Sequence, residues 1–354
     1  MQILDQPAEF SKIDPQGMRA EIEALPGQLH SAYLYGMDQP LPDWKGIQQV
    51  LIAGMGGSAI GADLLSAWVE GVCPVPIILQ RDYTLPAWAR QPGTLVICSS
   101  HSGNTEETLS VFEQARQVEC RLMAVTTGGR LAQQALEARA PVWRFVHAGQ
   151  PRAAVGWSFG LLLAAFARLG LVPDPQLDMV NTVAAMRRQQ ESIGCESPVA
   201  ANPAKRLAGQ FVERWAVIMG AGVMAPVARR WKGQLCEVAK SWAQFETLPE
   251  ADHNTLAGVL YPESQLSHTM ILFLQSSADH PRNRLRAEVT RKVLMLEGLG
   301  TDTYTAPGNS PLSNQWTALH FGDYLAYYLA MIYGVNPTPV DAIESLKLEL
   351  KRVG

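Results

Sequence analysis

The sequence predicts an α/β protein of two linked halves, each a parallel sheet flanked by helices as an α-β-α sandwich. Three observations carry this. Short apolar runs ending in glycine or serine alternate with helical patterns as far as residue 146, as in βαβ units. Ala216-Val217-Ile218-Met219 before Gly220-Ala221-Gly222 then echoes Leu51-Ile52-Ala53 before Gly54-Met55-Gly56. Met270 to Leu274 before Gln275-Ser276-Ser277 likewise echoes Val96-Ile97-Cys98 before Ser99-Ser100, which marks an internal duplication.

In chain order, residues 15–45 read as an opening helical segment that closes on Gln39-Pro40-Leu41-Pro42. Buried strands are expected at Val50–Ala53, Val75–Leu79, Thr94–Cys98, Arg121–Val125 and Val142–Val146. Trp157–Arg168 and Met179–Glu191 read as helices within a linking stretch. A helix is expected at Asn314–Tyr333, and a last one at Asp341–Lys351, set off by Pro337 and Pro339. The expected organisation is therefore a first α/β domain over 1–152, a helical linker over 153–205, and a second α/β domain over 206–354.

Composition narrows the function. The chain has 354 residues, enough for two domains with their own cores. With 47% hydrophobic and 18% charged residues, the profile is globular. A net charge of -4 and no long basic run argue against nucleic acid as a partner. Five cysteines, an odd number with no Cys-x-x-Cys pair, favour reduced thiols over a disulfide framework or a zinc site. Met1 to Asp14 is polar and acidic, unlike a signal peptide, and the apolar stretch Phe159–Phe166 is too short to span a bilayer. A cytoplasmic location with no membrane partner is expected.

Two loops carry the chemistry. Gly54-Met55-Gly56-Gly57-Ser58 follows a strand and opens a helix, where free N–H groups and the helix dipole suit an anion. The bland alternative is a tight strand-to-helix turn. Ser99-Ser100-His101-Ser102-Gly103-Asn104-Thr105 gathers hydroxyl donors at the next helix start, a set that can hold a phosphate dianion without lysine or arginine. Its alternative is an ordinary Asn or Thr cap with glutamates in the first turn.

Gly-Gly-Ser followed by Ser-x-Ser-Gly-Asn-Thr resembles the signature of sugar isomerase (SIS) domains. The match continues through Arg81-Asp82-Tyr83, Pro151-Arg152, Glu237, His253-Asn254 and Lys347, in order and over nearly the whole chain. It is similar to the bifunctional phosphoglucose/phosphomannose isomerases. The resemblance implies that Gly57, Ser58, Ser100, Ser102 and Thr105 hold the phosphate of a hexose 6-phosphate. It implies an aldose–ketose isomerase working through an enediol, with no metal or redox cofactor.

By the same resemblance Glu237 is the base, with Cys236 and Val238 where the family usually carries asparagines. On spacing alone Glu237 reads as a surface partner of Lys240. Its apolar neighbours suggest a setting that raises its pKa toward the working pH. The resemblance makes Arg152 the stabiliser of the enediolate oxygen, although alone it reads as a surface arginine at a helix start. It makes His253 the ring-opening residue, contributed across a homodimer interface, and Lys347 on the terminal helix its assistant. His101 replaces the aromatic residue common between the two serines and reads as loop variation. Two other readings remain open: a non-catalytic sugar-phosphate-binding regulator, and a nicotinamide-dependent enzyme using Gly54-x-Gly56-x-x-Ala59 with Asp82.

Overall fold

The computed structural model describes residues 2–353, so Met1 and Gly354, the outermost residues of the expected domains, lie outside the described residues. The first half runs α1 (Phe10–Ile13), α2 (Met18–Asp38), β1 (Gln49–Ala53), α3 (Gly56–Val69), β2 (Ile77–Gln80), β3 (Thr94–Ser100), α4 (Glu106–Gln117), β4 (Arg121–Thr126), α5 (Gly129–Glu137) and β5 (Val142–Arg144). Next come α6 (Val155–Arg168), α7 (Gln176–Ile193) and α8 (Pro203–Gln210). The second half runs β6 (Trp215–Gly220), α9 (Ala225–Glu237), β7 (Ala243–Thr247), α10 (Glu263–Leu266), β8 (Thr269–Gln275), α11 (Pro281–Leu296), β9 (Gly300–Thr305), α12 (Pro311–Tyr333) and α13 (Asp341–Val353).

Both sheets are parallel, ordered β2-β1-β3-β4-β5 and β7-β6-β8-β9. The central strands are buried throughout or nearly so, because helices cover both faces. In each sheet the strand order reverses at one place, between β1 and β3 and between β6 and β8. Crevices at strand ends open at such switch points. Two strands escaped the sequence reading. β9 is Gly-Thr-Asp-Thr-Tyr-Thr and β7 is Ala-Gln-Phe-Glu-Thr; both are sheet edges and neither carries an apolar run.

The stretch expected to link the halves is helical, and its helices sit inside one apolar core that runs through both halves. Residues of α6 from Phe159 to Phe166 are fully buried. Small residues bring α6 against α2: a Cβ on Gly160 would come within 2.7 Å of the Ala32 Cβ, and one on Gly36 within 2.6 Å of the Ala164 Cβ.

Helix α12 is the spine. Every residue from Leu312 to Met331 is buried, so its polar side chains must find partners. Gln315 donates from Nε2 to the carbonyls of Leu64 in one half and Val223 in the other. His320 donates from Nε2 to the Ile22 carbonyl at 2.9 Å. That bond has a local cause. Pro26 lies inside α2 and has no N–H, so Ile22 loses its helical donor. Burial holds the His320 pKa down, near 4, so the ring is neutral.

His320→Leu is expected to cost about 1–3 kcal/mol of unfolding free energy, the penalty of an orphaned buried carbonyl. Adding Pro26→Ala supplies a new N–H to Ile22 and should recover most of that loss. A urea double-mutant cycle checks it; additive effects would show that the histidine does not stand in for the helical bond.

Candidate active site

β1 pairs with β3 so that Ala53 lies opposite Cys98, and the two loops therefore leave the sheet side by side. Gly56 sits at φ +51°, a left-handed conformation that glycine adopts freely. A Cβ on Gly57 would lie 2.5 Å from the Pro151 carbonyl oxygen, so only glycine lets the segment before Arg152 approach this turn.

The hydroxyls form a linked set. The His101 N–H donates to Ser58 Oγ at 3.1 Å, joining one loop to the other. Ser100 Oγ accepts from the Gly103 N–H at 3.1 Å and shares a 2.8 Å hydrogen bond with Thr105 Oγ1. Ser102 Oγ accepts from the Asn104 N–H at 3.2 Å. Thr105 stands at the N-cap of α4, yet its side chain makes no capping bond. The backbone N–H groups thus occupy hydroxyl lone pairs and leave O–H protons on Ser58 and Ser102 to donate. Ser58 and Ser100 are buried, Thr105 is half-buried, and Ser102 is exposed at the tip.

Gly57 also borders a cleft of about 210 Å³ between the halves, with Arg152 and Glu237 in its lining. The Arg152 Nη1 lies 3.6 Å from Glu237 Oε2. Arg152 is 3% exposed and donates from Nη2 to the carbonyls of Pro337 at 2.8 Å and Thr338 at 2.5 Å. Burial draws its guanidinium below the ordinary arginine value; Glu237 and Asp323 oppose this, and Arg230 adds to it. Far from being a surface arginine, Arg152 is a buried cation aimed at the carboxylate.

The apolar setting expected around Glu237 is not what the carboxylate meets. Leu235, Val238 and Ala239 turn into the core, while the Glu237 side chain, 33% exposed, faces the cleft. Lys240 is not its ion-pair partner. Its Nζ donates to the backbone carbonyls of Glu237 and Pro339, both at 2.5 Å. The cleft also brings in cations to which sequence reasoning gave no role: Arg81, seen only as part of a motif, and Arg229 and Lys232. Asp63 binds both Arg81 and Arg229, and Lys232 lines the same wall. The signal for Arg229 and Lys232 was the basic run Arg229-Arg230-Trp231-Lys232 on the helix that ends at Glu237. The hydroxyl loops are therefore not the whole electrostatic environment.

His253 and Lys347 stand apart. Among the described residues, neither lines the cleft, and neither side chain makes a hydrogen bond or ion pair. Around His253, Asp252 is held by Arg286 at 2.9 Å and Thr290 at 2.7 Å, and Glu250 by Asn254 at 2.9 Å. The imidazole itself is exposed. Lys347 lies on α13, whose residues from Asp341 to Leu350 are all exposed, including Ile343, Leu346 and Leu350 of its apolar face. No helix of the described residues is long and apolar enough to cross a membrane.

Comparisons with known proteins agree with this architecture. The family model described as the bacterial phospho-glucose isomerase C-terminal SIS domain matches residues 200–350. A bifunctional phosphoglucose/phosphomannose isomerase of Caldicellulosiruptor bescii is 38% identical over 331 residues, covering 93% of this chain and 97% of that protein. One from Aquifex aeolicus is 34% identical, covering 88% and 92%. Among solved structures, the C-terminal domain of a glucosamine-fructose-6-phosphate aminotransferase from Francisella tularensis superposes with a TM-score of 0.71 at 15% identity, covering 91% of this chain and 98% of that one. Tagatose-6-phosphate ketose/aldose isomerase from Escherichia coli gives 0.65 at 17%, covering 95% and 93%. At those identities the structures speak for the fold.

The second half repeats the cradle and fills it. Gly222 has φ +51° like Gly56, and Asp279 N–H bonds to the Ser276 carbonyl at 3.2 Å as Gly103 N–H bonds to that of Ser100. Where the first loop has glycine, Asp279 turns its carboxylate inward and accepts from the Ser276 N–H at 2.8 Å. Burial raises its pKa from 3.8 to about 6, against the pull of that N–H and of Arg284. The folded chain thus holds the proton more tightly than the unfolded chain. Stability falls as pH rises from about 4 to about 6, and the penalty is complete above that. Asp279→Asn should raise unfolding free energy by about 1–2 kcal/mol at pH 8 and by little at pH 4. Guanidinium unfolding at both pH values checks it; a variant no more stable at pH 8 would show the charge to be well compensated.

Proposed function

The chain belongs to the bifunctional phosphoglucose/phosphomannose isomerase family, and from that premise and the cleft we infer an aldose–ketose isomerase that interconverts glucose 6-phosphate and mannose 6-phosphate with fructose 6-phosphate. The observation that carries the residue assignment is the 3.6 Å approach of the Arg152 guanidinium to the Glu237 carboxylate beside Gly57. In this reading the substrate phosphate rests on Gly57, Ser58, Ser100, Ser102 and Thr105. The open-chain sugar then extends toward Glu237.

Glu237 takes the proton from C2 of the aldose and returns it to C1, the electrons passing through a cis-enediol, while the hydroxyl hydrogen on O2 passes to O1 so that C2 becomes the carbonyl. Negative charge grows on the oxygen of the former carbonyl, and the fixed positive charge of Arg152 stabilises it. Arg152 suits this because its own carbonyl contacts already hold it still. Ring opening needs a proton moved onto the ring oxygen. We assign that step to His253 of the partner subunit with Lys347, which makes a homodimer the working unit. The support is an exposed, unpartnered imidazole on a turn whose other polar groups are tied down.

Glu237→Gln keeps the shape and removes the base. Turnover should fall by about 10²–10⁴-fold while inorganic phosphate still competes at its original concentration. NMR in deuterated water with each hexose 6-phosphate follows both product and exchange at C1 and C2; unchanged turnover would remove Glu237 from the role.

A shared site has its own test. His253→Ala and Glu237→Gln homodimers should each be nearly inactive, while mixing them under conditions that exchange subunits should restore activity through hybrids with one intact site. Mixed protein as inactive as its parents, with hybrids present by mass spectrometry, would place His253 in its own subunit's chemistry or outside it.

A further inference from the structure

The residue set down as loop variation, His101, is the junction of the phosphate loops. Its N–H holds Ser58 Oγ, and its carbonyl accepts from the N–H of Thr127 at 3.1 Å and from Thr127 Oγ1 at 2.7 Å. Its ring continues outward. His101 Nε2 lies 3.0 Å from His147 Nδ1, and His147 Nε2 lies 3.1 Å from Glu21 Oε2 on the opening helix α2.

The order of protons follows from what each group can do. An ionised Glu21 can only accept, so His147 Nε2 carries the hydrogen. The other nitrogen of a neutral His147 is then a lone pair, and it accepts from His101 Nε2–H. Packing covers the middle of the chain, while Glu21 at its outer end is 32% exposed. The His147 side chain is 7% exposed, and a Cβ on Gly149 would lie 2.4 Å from Glu21 Oε1 and 2.9 Å from His147 Cε1. Phe145 meets the His101 ring edge-on at 5.9 Å. Burial holds the His101 pKa down near 4, consistent with a neutral ring that donates one hydrogen and keeps one lone pair. The groups that face the two rings are thus each other, Glu21 from α2 and the apolar face of Phe145.

We propose that Glu21 and His147 are positioning residues for the substrate phosphate: acting through His101, they hold the Ser58 and Ser100–Thr105 loops in register before substrate arrives. This rests on the reading of those loops as the phosphate site. The physical need is clear. Hydroxyl and N–H dipoles bind a dianion well only when they are already aimed, because a loop that must be ordered on binding loses affinity to that ordering. The position between two phosphate-binding serines is where a tether aligns both loops at once.

Glu21→Ala and His147→Phe should each raise the KM for fructose 6-phosphate and the inhibition constant of inorganic phosphate by about five- to tenfold, the worth of one hydrogen bond, with kcat within about twofold. Glu21→Gln can still accept from His147 and should recover most of the loss. A purely structural role would lower the melting temperature without moving the phosphate constants. Independently of any variant, nitrogen-15 NMR of the parent at pH 7.5 should show His101 neutral and protonated on Nε2; an Nδ1–H tautomer or a cationic ring overturns the proton order. Ser102→Ala separates the two ideas. If it weakens phosphate while Glu21→Ala and His147→Phe, folded and stable, leave KM and the phosphate constant unchanged, the tether fails and the phosphate site stands. If Ser102→Ala too leaves phosphate inhibition untouched, the phosphate site is misplaced and the tether falls with it.

Discussion

Arg230 is the constraint on which the site depends. Its guanidinium is buried and binds Asp323 through Nε at 3.1 Å and Nη2 at 2.9 Å, and it donates from Nη1 to the Arg152 carbonyl at 2.8 Å. One side chain on α9 thus ties the buried spine α12 to the turn that leaves the first sheet. Removing either member of such a pair would strand a charge in the core, a loss of about 3–5 kcal/mol. The pair need not be the most stabilising choice at this place. What it supplies is register: the carbonyl of Arg152 is fixed by the helix that carries Glu237, so acid and cation face each other because their backbones are bound together.

The duplicated cradles show why a folded repeat need not give two sites. Each half offers a left-handed glycine after its first strand and a serine turn after its third. The first ends in Gly103, where a Cβ would strike the Gly128 carbonyl oxygen, and no carboxylate fills its loop, whose Ser102 is exposed at the tip. The second ends in Asp279, and an internal carboxylate takes the amide that an external anion would use. Asn314 of the spine closes that loop further, its Oδ1 accepting from Ser276 and Ser277 at 2.8 and 2.9 Å. The fold repeats, while side chains decide which copy stays open.

Most of the architecture could be read from sequence because buried parallel strands announce themselves as apolar runs, and both central pairs, β1 with β3 and β6 with β8, were visible that way. The edge strands β7 and β9 were not, since an edge with one polar face lacks the signal. The opening helix was visible despite Pro26, but the histidine that compensates for it lies 294 positions away and has no local mark. At the site, motif order pointed to Ser58, Ser100, Arg152 and Glu237, and the fold brings their loops and helix ends together. The surroundings of Glu237 misled, because apolar neighbours on a helix describe its buried face and say nothing of a carboxylate one turn round. His101 misled for the opposite reason: its meaning depends on His147 and Glu21, which reach it only through tertiary contact.

The same logic explains how cations and hydroxyls divide the work in the cleft. Arg81 and Arg229 are both held by Asp63, and Arg152 and Arg230 are held by carbonyls and carboxylates, so these positive groups are fixed in place. Fixed charge in a partly dry crevice attracts an anionic sugar from a distance. A lysine or arginine free to close on the phosphate would bind it more tightly but would bind substrate and product alike, which gains nothing in the chemical step. Hydroxyls aimed by backbone N–H groups give orientation at a lower cost to release. On the proposed assignment, the fixed guanidinium near Glu237 then acts on the charge that appears only as the enediolate forms, where its proximity would lower the barrier.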